Sequence, residues 1–291
     1  MSHAPQPSAA PLLWLVVNAA SGSNDDASVA QLIDAFAAAG RPAERTIRFP
    51  EDDLPTRAAL DEAGVGTLAV FTGDGTANSQ VRHLIGWDGE VLVLPGGTQN
   101  LLAKALHGED CTADAVVAAF AEGRLTRQQR PAVETSQGPA LVEVLAGPGA
   151  TWADVREGVR DLDIGTIASA LGEAVRTTAS GPTVRVIDPA LGKPEGYRAL
   201  RIDAGTGTLT LDGYDAQGIG DVAAQGVAML VKRDFRAGPH DKLGTCDRLT
   251  CASDAPIALM IDGERHDGDL RETFACITLP VHFLASAAPG G

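Results

Sequence analysis

The chain has 291 residues, of which 44% are hydrophobic and 21% charged, a length and composition that predict a folded protein with one large domain or two smaller ones. Its 38 acidic side chains outnumber 23 lysines and arginines and give a formal charge of -15, which disfavours nucleic acid and strong polybasic attraction to anionic lipid. No apolar run approaches the roughly 18 residues that a spanning helix needs, so we do not expect an integral membrane protein.

The first ten residues and the four cysteines indicate the cellular compartment in which we expect the protein. Residues 1–10 have neither the basic start nor the apolar centre of a signal peptide, and we expect them to form a disordered lead-in. None of the four cysteines, Cys111, Cys246, Cys251 and Cys276, belongs to a C-x-x-C pair. This usage indicates free thiols in a reducing cytoplasm, and the spacing of the cysteines matches no usual zinc pattern. A cytoplasmic protein is therefore expected, with peripheral attachment to a membrane left open.

Short apolar runs alternate with amphipathic segments in the first part of the chain. The predicted strands are 12–17, 46–49, 67–72 and 90–94, and the predicted helices are 27–39, 55–63, 76–86, 101–106 and 112–122. In the helix at 27–39, apolar residues recur at i, i+3, i+4 and i+7 before Gly40. Strands that alternate with helices predict βαβ units and a doubly wound parallel sheet, which binds ligands beyond the carboxyl ends of its strands.

The pattern changes after Gly123 to short, often alternating segments separated by Gly, Pro and Asp. The predicted strands are 133–134, 141–145, 183–187, 197–202, 208–211, 227–231, 248–251, 257–261 and 274–283, with one helix at about 165–178. These segments are typical of an antiparallel β-sandwich. We therefore predict an α/β domain over 11–128, a β-rich domain over 129–275, and a last strand within 276–291 that returns to the first domain.

Three glycine-containing turns follow successive strands of the predicted parallel sheet. They are Asn18 to Ser23, Gly73 to Thr76, and Pro95 to Asn100. Each turn supplies backbone N–H groups, small residues and hydroxyl or amide side chains, which are suited to holding a polyphosphate. None has the lysine of a Walker A loop, and none is a G-x-G-x-x-G fingerprint. Gly-Asp-Gly alone is also ordinary turn chemistry, so the repetition of such turns carries the prediction.

The order and spacing of these turns resemble the diacylglycerol kinase and sphingosine kinase family of lipid kinases, in particular its soluble bacterial members. In that family the first strand ends in N-P-x-S-G, the second motif is G-G-D-G-T-x-N-E, and the third is P-x-G-T-x-N. The matching segments here are 18–22, 72–79 and 95–100. Near the carboxyl end, Met260 to Glu264 followed by Gly268-Asp269-Leu270 is similar to the D-G-E segment of the family.

The resemblance implies a kinase that transfers the γ-phosphate of ATP, with Mg²⁺, to a hydroxyl of diacylglycerol or a similar lipid at the membrane surface. It implies a nucleotide between an α/β domain and an acceptor-binding domain, with Asp74 in the phosphate and metal site. Asp262 matches the proposed general base. The residues implied for the nucleotide are Asn18, Ser21, Gly22, Gly73, Gly75, Thr76, Gly97, Thr98, Asn100 and Glu264. A homodimer is an open option.

The sequence also departs from the family pattern. Ala19 replaces a proline, Thr72 the first glycine of the second motif, and Ser79 its glutamate, and the basic segment that usually precedes the D-G-x-L strand of the family is not found. Two alternatives therefore stay open. One is a kinase of a soluble substrate, like NAD kinase, and the other is a non-catalytic nucleotide- or lipid-binding protein on a degenerate kinase scaffold. Asp262-Gly263 is also a favoured hairpin dipeptide, so a turn role for Asp262 is a further option.

Overall fold

A computed structural model describes residues 11–18, 25–148, 182–215 and 240–286 of the chain. It divides the chain into two compact units, one formed by Met1–Arg130 with Pro280–Gly291 and the other by Pro131–Leu279. The predicted lead-in at 1–10, the helix at 165–178 and the strand at 227–231 lie outside the described residues.

The amino-terminal unit contains a parallel sheet with helices between its strands. Its strands are β1 (Leu12–Val17), β2 (Arg45–Arg48), β3 (Val65–Thr72) and β4 (Glu90–Pro95), and its helices are α1 (Asp26–Ala38), α2 (Arg57–Ala63), α3 (Asp74–His83), α4 (Leu101–His107) and α5 (Ala113–Ala121). The strand order is β2-β1-β3-β4, and all three pairings are parallel. The predicted doubly wound α/β arrangement is confirmed.

Local sequence explains these elements. The interior of β1 is almost wholly buried, as expected for a parallel strand that is covered on both faces. Helix α1 starts where the Asp25 carboxylate accepts a hydrogen bond from the Ser28 amide at 2.8 Å, and α2 ends at Gly64 in the left-handed region. Helices α1 and α5 pack together through Phe36 and Phe120, whose ring centroids are 6.3 Å apart in an edge-to-face arrangement.

The strand order contains a topological switch between β1 and β3. From β1 the chain goes through α1 to β2 on one side, and then through α2 to β3 on the other side. Ligands of doubly wound sheets bind in the crevice that such a reversal leaves at the carboxyl ends of the strands. Asn18 and Gly73, which follow β1 and β3, lie at this position.

The carboxyl-terminal unit contains two antiparallel sheets. Its strands are β6 (Glu143–Ala146), β7 (Arg185–Asp188), β8 (Ala190–Leu191), β9 (Ala199–Ala204), β10 (Leu209–Tyr214), β11 (Asp241–Cys246), β12 (Arg248–Ala252), β13 (Ala258–Ile261) and β14 (Glu264–Asp267). One sheet has the order β11-β10-β9-β6-β13-β14, and the other joins the first part of β15 (Arg271–Ser286) to β12, β7 and β8. Side chains of both sheets, including Leu200, Ile202, Leu249 and Phe274, form one buried core. The predicted antiparallel fold class is confirmed.

Two long strands belong to both units. Strand β5 (Leu125–Glu134) leaves the amino-terminal unit, and β15 returns to it after Leu279. Inside the amino-terminal unit, the end of β15 runs parallel to β4 with His282 opposite Glu90, and Pro280 accepts a hydrogen bond from the Gly86 amide at 2.7 Å.

His107 ties the end of α4 to two strands of the amino-terminal unit. Its Nε2 lies 3.1 Å from the Val93 carbonyl oxygen, and its Nδ1 lies 3.1 Å from Ser286 Oγ. Because a carbonyl oxygen only accepts, Nε2 carries the proton and Nδ1 accepts from the Ser286 hydroxyl. Burial lowers the pKa of His107 to about 4, although the bond to Val93 acts in the opposite direction. The folded protein therefore holds this imidazole neutral.

We expect acid to destabilise the protein through His107. The pKa in the unfolded chain is near 6.5, so between pH 6.5 and 4 the unfolded chain binds a proton that the folded chain does not. The contribution of this residue is fully present above pH 6.5 and decreases by about 3 kcal/mol as the pH falls through 4. Urea unfolding of His107→Gln at pH 7, 5.5 and 4.5 should show a shallower pH dependence than the unchanged protein. The exposed His83, replaced by Gln, is the control, and equal slopes for all three proteins would contradict the prediction.

Candidate functional site

The turns after β1 and β3 are joined by a side-chain hydrogen bond. Asn18 Nδ2 donates to Thr76 Oγ1 at 3.0 Å, across 58 residues of sequence. Asn18 is 9% exposed, and Thr76 lies in the first turn of α3. The structure thus brings together two of the predicted nucleotide-binding motifs. Ser21 and Gly22, predicted for the same site, lie outside the described residues.

Helix α3 begins directly at the end of β3. Gly73 is its N-cap residue and, having no side chain, makes no side-chain cap hydrogen bond. Asp74, Gly75 and Thr76 form the first turn, and all three are partly exposed. A ten-residue helix that starts without a side-chain cap presents N–H groups and a positive dipole end, which favour an anion such as phosphate.

The turn after β4 packs directly against the turn after β3. A Cβ atom placed on Gly97 would lie 2.7 Å from Gly73 Cα, closer than real Cβ atoms approach backbone. Only a residue without a side chain permits this backbone contact. The third predicted motif therefore lies beside the second one, and Gly97 is required for that position.

Asn100 shapes the third turn from within. It adopts a left-handed backbone conformation with φ of 56°, which asparagine tolerates better than most residues. Its Oδ1 accepts from the Gly97 amide at 2.6 Å, and its Nδ2 donates to the Gly97 carbonyl at 2.9 Å. The predicted contact of Asn100 with a nucleotide stays a prediction, while its side chain closes the turn that carries Gly97. Thr98 lies between them and is exposed.

Asp74 links the starts of α3 and α4. Its Oδ1 accepts from the Leu102 amide at 3.4 Å, a long bond that ties it to the first turn of α4. The sequence holds no signal for this contact, because the donor is a main-chain group. The Asp74 carboxylate, which is predicted for the phosphate and metal site, is thus held by its own helix and by an amide at the start of α4.

Thr72 replaces a glycine of the family motif, and the structure shows where its side chain goes. The residue is 3% exposed, and its hydroxyl donates to the Gly73 carbonyl at 3.1 Å. The added side chain is therefore buried rather than exposed at the turn. Ser79, which replaces the glutamate of the family, is partly exposed on α3.

The two carboxyl-terminal candidates lie in the other unit, in the hairpin of β13 and β14. Asp262 is 2% exposed, and its carboxylate accepts from three consecutive main-chain amides: Leu141 at 2.7 Å, Val142 at 2.8 Å and Glu143 at 3.1 Å. Glu264 is the first residue of β14 and is exposed. Spacing in the sequence could not reveal the three amide donors, because they belong to a segment 119 to 121 residues away.

The described residues show no ready-made metal cage. No group of three or more His, Cys, Asp or Glu side chains in that part of the chain could hold an ion. Magnesium is usually bound by one or two carboxylates together with substrate phosphates, so a single carboxylate at Asp74 fits this mode. Across the described ranges, no helix combines the length and apolar character needed to cross a bilayer.

Comparison with known families gives one match, over the first part of the chain. Residues 12–129 match the family model of the diacylglycerol kinase catalytic domain, which confirms over that range the resemblance predicted from the three turns. No curated protein matches the chain closely enough to count as a relative.

Solved structures show the same fold. A crystal structure of a diacylglycerol kinase from Bacillus anthracis str. Sterne superposes with a TM-score of 0.65 at 16% identity, covering 98% of this chain and 99% of that one. Another structure from this strain, provisionally named a diacylglycerol kinase, gives a TM-score of 0.63 at 15% identity, with 96% and 99% covered. At these identities the likeness shows the fold alone.

Proposed function

We propose that the protein is a lipid kinase that transfers the γ-phosphate of ATP to a hydroxyl of diacylglycerol or a similar lipid. The observation that supports this most is that Asn18 and the turns after β3 and β4 lie together within the amino-terminal unit. Asn18 contacts Thr76, and Gly97 packs on Gly73. The match of residues 12–129 to the diacylglycerol kinase catalytic domain supports a kinase rather than another nucleotide-binding function.

In the proposed mechanism the first turn of α3 binds the donor phosphates. Phosphoryl transfer requires mainly alignment and neutralisation of charge on the transferred group. Amides of the Gly73 to Thr76 turn would bind phosphate oxygens, and the bond from Asn18 would hold the Thr76 hydroxyl in place. Asp74 would hold Mg²⁺ together with the phosphates, and the ion when bound would offset their negative charge.

Phosphoryl transfer also requires a carboxylate that can remove the proton of the acceptor hydroxyl. A lipid hydroxyl becomes a better nucleophile when a carboxylate within hydrogen-bond reach takes its proton. Asp262 is the residue that the family resemblance implies for this role, and Glu264 lies two residues after it. In this proposal the protein is cytoplasmic and meets its lipid at the membrane surface.

The experiment that tests this function compares acceptor classes. Purified protein with Mg²⁺ and γ-labelled ATP should label diacylglycerol or a long-chain base in mixed micelles, and should leave NAD and sugar phosphates unlabelled. Labelling of NAD or a sugar phosphate without lipid would favour the kinase of a soluble substrate. ATP binding measured by calorimetry without turnover of any acceptor would favour the non-catalytic scaffold.

A further inference from the structure

Arg130, in β5, carries a charge that is partly buried and has no acidic partner among the described residues. Its Nε atom is buried and has no hydrogen-bond partner there. Burial lowers the pKa of the guanidinium, and no neighbouring carboxylate acts in the opposite direction. Removing a charged group from water is unfavourable unless an opposite charge or hydrogen bonds compensate for the lost hydration. The Arg130 charge is therefore not explained by a contribution to stability.

Within the described part of the chain, the hydrogen bond of Arg130 goes to helix α4. Its Nη1 donates to the carbonyl oxygen of Ala105. Ala105 lies two residues before the end of α4, and the last four carbonyls of a helix have no partner within the helix. A cation at this position also interacts favourably with the negative end of the helix dipole. Arg130 thus fastens the carboxyl end of α4 to β5.

Helix α4 depends on such contacts for its position. It has seven residues and is about 10 Å long, and helices of this length are not stable in water by themselves. Buried Leu102, Ala103 and Leu106 pack one face of the helix against the unit. At its last residue, His107 is held between the Val93 carbonyl and Ser286. The carboxyl end of α4 is therefore the end at which Arg130 and His107 both act.

The other end of α4 contacts the candidate site. The Leu102 amide donates to Asp74 Oδ1 at 3.4 Å, which is close to the upper limit for a hydrogen bond. A small displacement of α4 is therefore enough to break this contact. Because the main chain of a helix is bonded internally from turn to turn, a displacement at Ala105 also moves the Leu102 amide.

We propose that Arg130 is a positioning residue of the donor-phosphate site, which acts through α4 on the Asp74 carboxylate. The assignment rests on the proposed function, in which Asp74 holds Mg²⁺ together with the phosphates of ATP. Arg130 keeps the start of α4 where its amide fixes the orientation of that carboxylate. An unbranched apolar side chain could occupy the same space without the unfavourable burial of charge. The charge of Arg130 is thus needed for the site and not for the fold.

The test compares Arg130→Met and Arg130→Lys with the control Arg41→Met. Arg41 is another partly buried arginine of the same unit, and its guanidinium lies 4.4 Å from the centroid of the Phe120 ring. Affinity is measured by calorimetric titration with Mg-ATP, and stability by thermal unfolding. We expect Arg130→Met to bind Mg-ATP about tenfold more weakly, with a melting temperature that falls by less than about 2 °C or rises. Arg130→Lys keeps a cationic donor and should recover most of the affinity, and Arg41→Met should bind as the unchanged protein does.

A second background tests whether Arg130 acts through Asp74. In Asp74→Ala protein the Leu102 amide has lost this acceptor, so adding Arg130→Met should weaken binding of Mg-ATP by less than about twofold. An equal effect of Arg130→Met in both backgrounds would contradict action through Asp74.

Other results would overturn the assignment in different ways. Normal affinity in Arg130→Met would show that Arg130 does not position the site. A melting temperature that falls together with the affinity in Arg130→Met, without recovery in Arg130→Lys, would make Arg130 a residue of the fold alone. Absence of Mg-ATP binding by the unchanged protein would instead contradict the proposed function, and the assignment of Arg130 would fall with it.

Discussion

Replacing Asp74 with asparagine is expected to lower lipid phosphorylation by about a thousandfold, because the variant lacks the charge that would hold the metal at the donor phosphates. Asp74 stands in the first turn of α3 and accepts from the Leu102 amide. Asparagine has nearly the same shape and can still accept from that amide. The free energy of unfolding should therefore change by less than about 1 kcal/mol. Initial rates against Mg-ATP and urea unfolding of the same preparation separate the two effects.

Asp114 offers a matched control for this variant. It also lies in the first turn of a helix, α5, so Asp114→Asn removes a carboxylate from the same kind of position. We expect its phosphorylation rate to equal that of the unchanged protein. A fall in rate of similar size in both variants, or a normal rate in Asp74→Asn, would contradict the role of Asp74 at the phosphates.

Replacing Gly97 with alanine is expected to weaken binding of ATP by about 30-fold or more. The groups that bind a ligand must keep their positions to within about 0.5 Å, so even a small displacement of the turn weakens binding. The added Cβ would lie 2.7 Å from Gly73 Cα, and both atoms belong to main chain that cannot simply rotate away. The turns must therefore move apart at the start of α3. Calorimetric titration with Mg-ATP measures the affinity, and thermal unfolding should show a lower melting temperature as well.

Gly205 provides the corresponding control. A Cβ atom there would lie 3.5 Å from the Thr208 carbonyl oxygen, an ordinary contact distance, and its backbone does not require glycine. Gly205→Ala should bind ATP as the unchanged protein does. Normal ATP affinity in Gly97→Ala would show that close packing of the two turns is not needed for the nucleotide.

Much of the amino-terminal unit could be predicted from sequence because its signals are local. The apolar run at 12–17 predicts β1, and the apolar period at 27–39 predicts α1; the structure confirms both. Each turn of the candidate site follows directly from a strand that hydrophobic pattern alone reveals. Parallel pairing then brings the turns to one edge, which is a consequence of fold class.

The carboxyl-terminal unit was less predictable because its information is not local. Strands β11 and β14 were missed, since polar residues and an exposed edge position give them little apolar alternation. The Asp262 carboxylate accepts hydrogen bonds from main-chain amides of another segment. Such bonds cannot be predicted from sequence, because almost every residue type has the same main-chain amide. The family resemblance implies Asp262 as base, whereas the structure shows its carboxylate accepting from three main-chain amides.

The central claim is tested most directly by incubating the purified protein with Mg-ATP and a total lipid extract and identifying products by mass spectrometry. We predict one class of lipid that gains the mass of a phosphoryl group, in a reaction that requires Mg-ATP and is lost with Asp74→Asn. An extract that stays unchanged while ATP binds, or phosphorylation that persists in Asp74→Asn, would contradict a lipid kinase centred on the Gly73 to Thr76 turn.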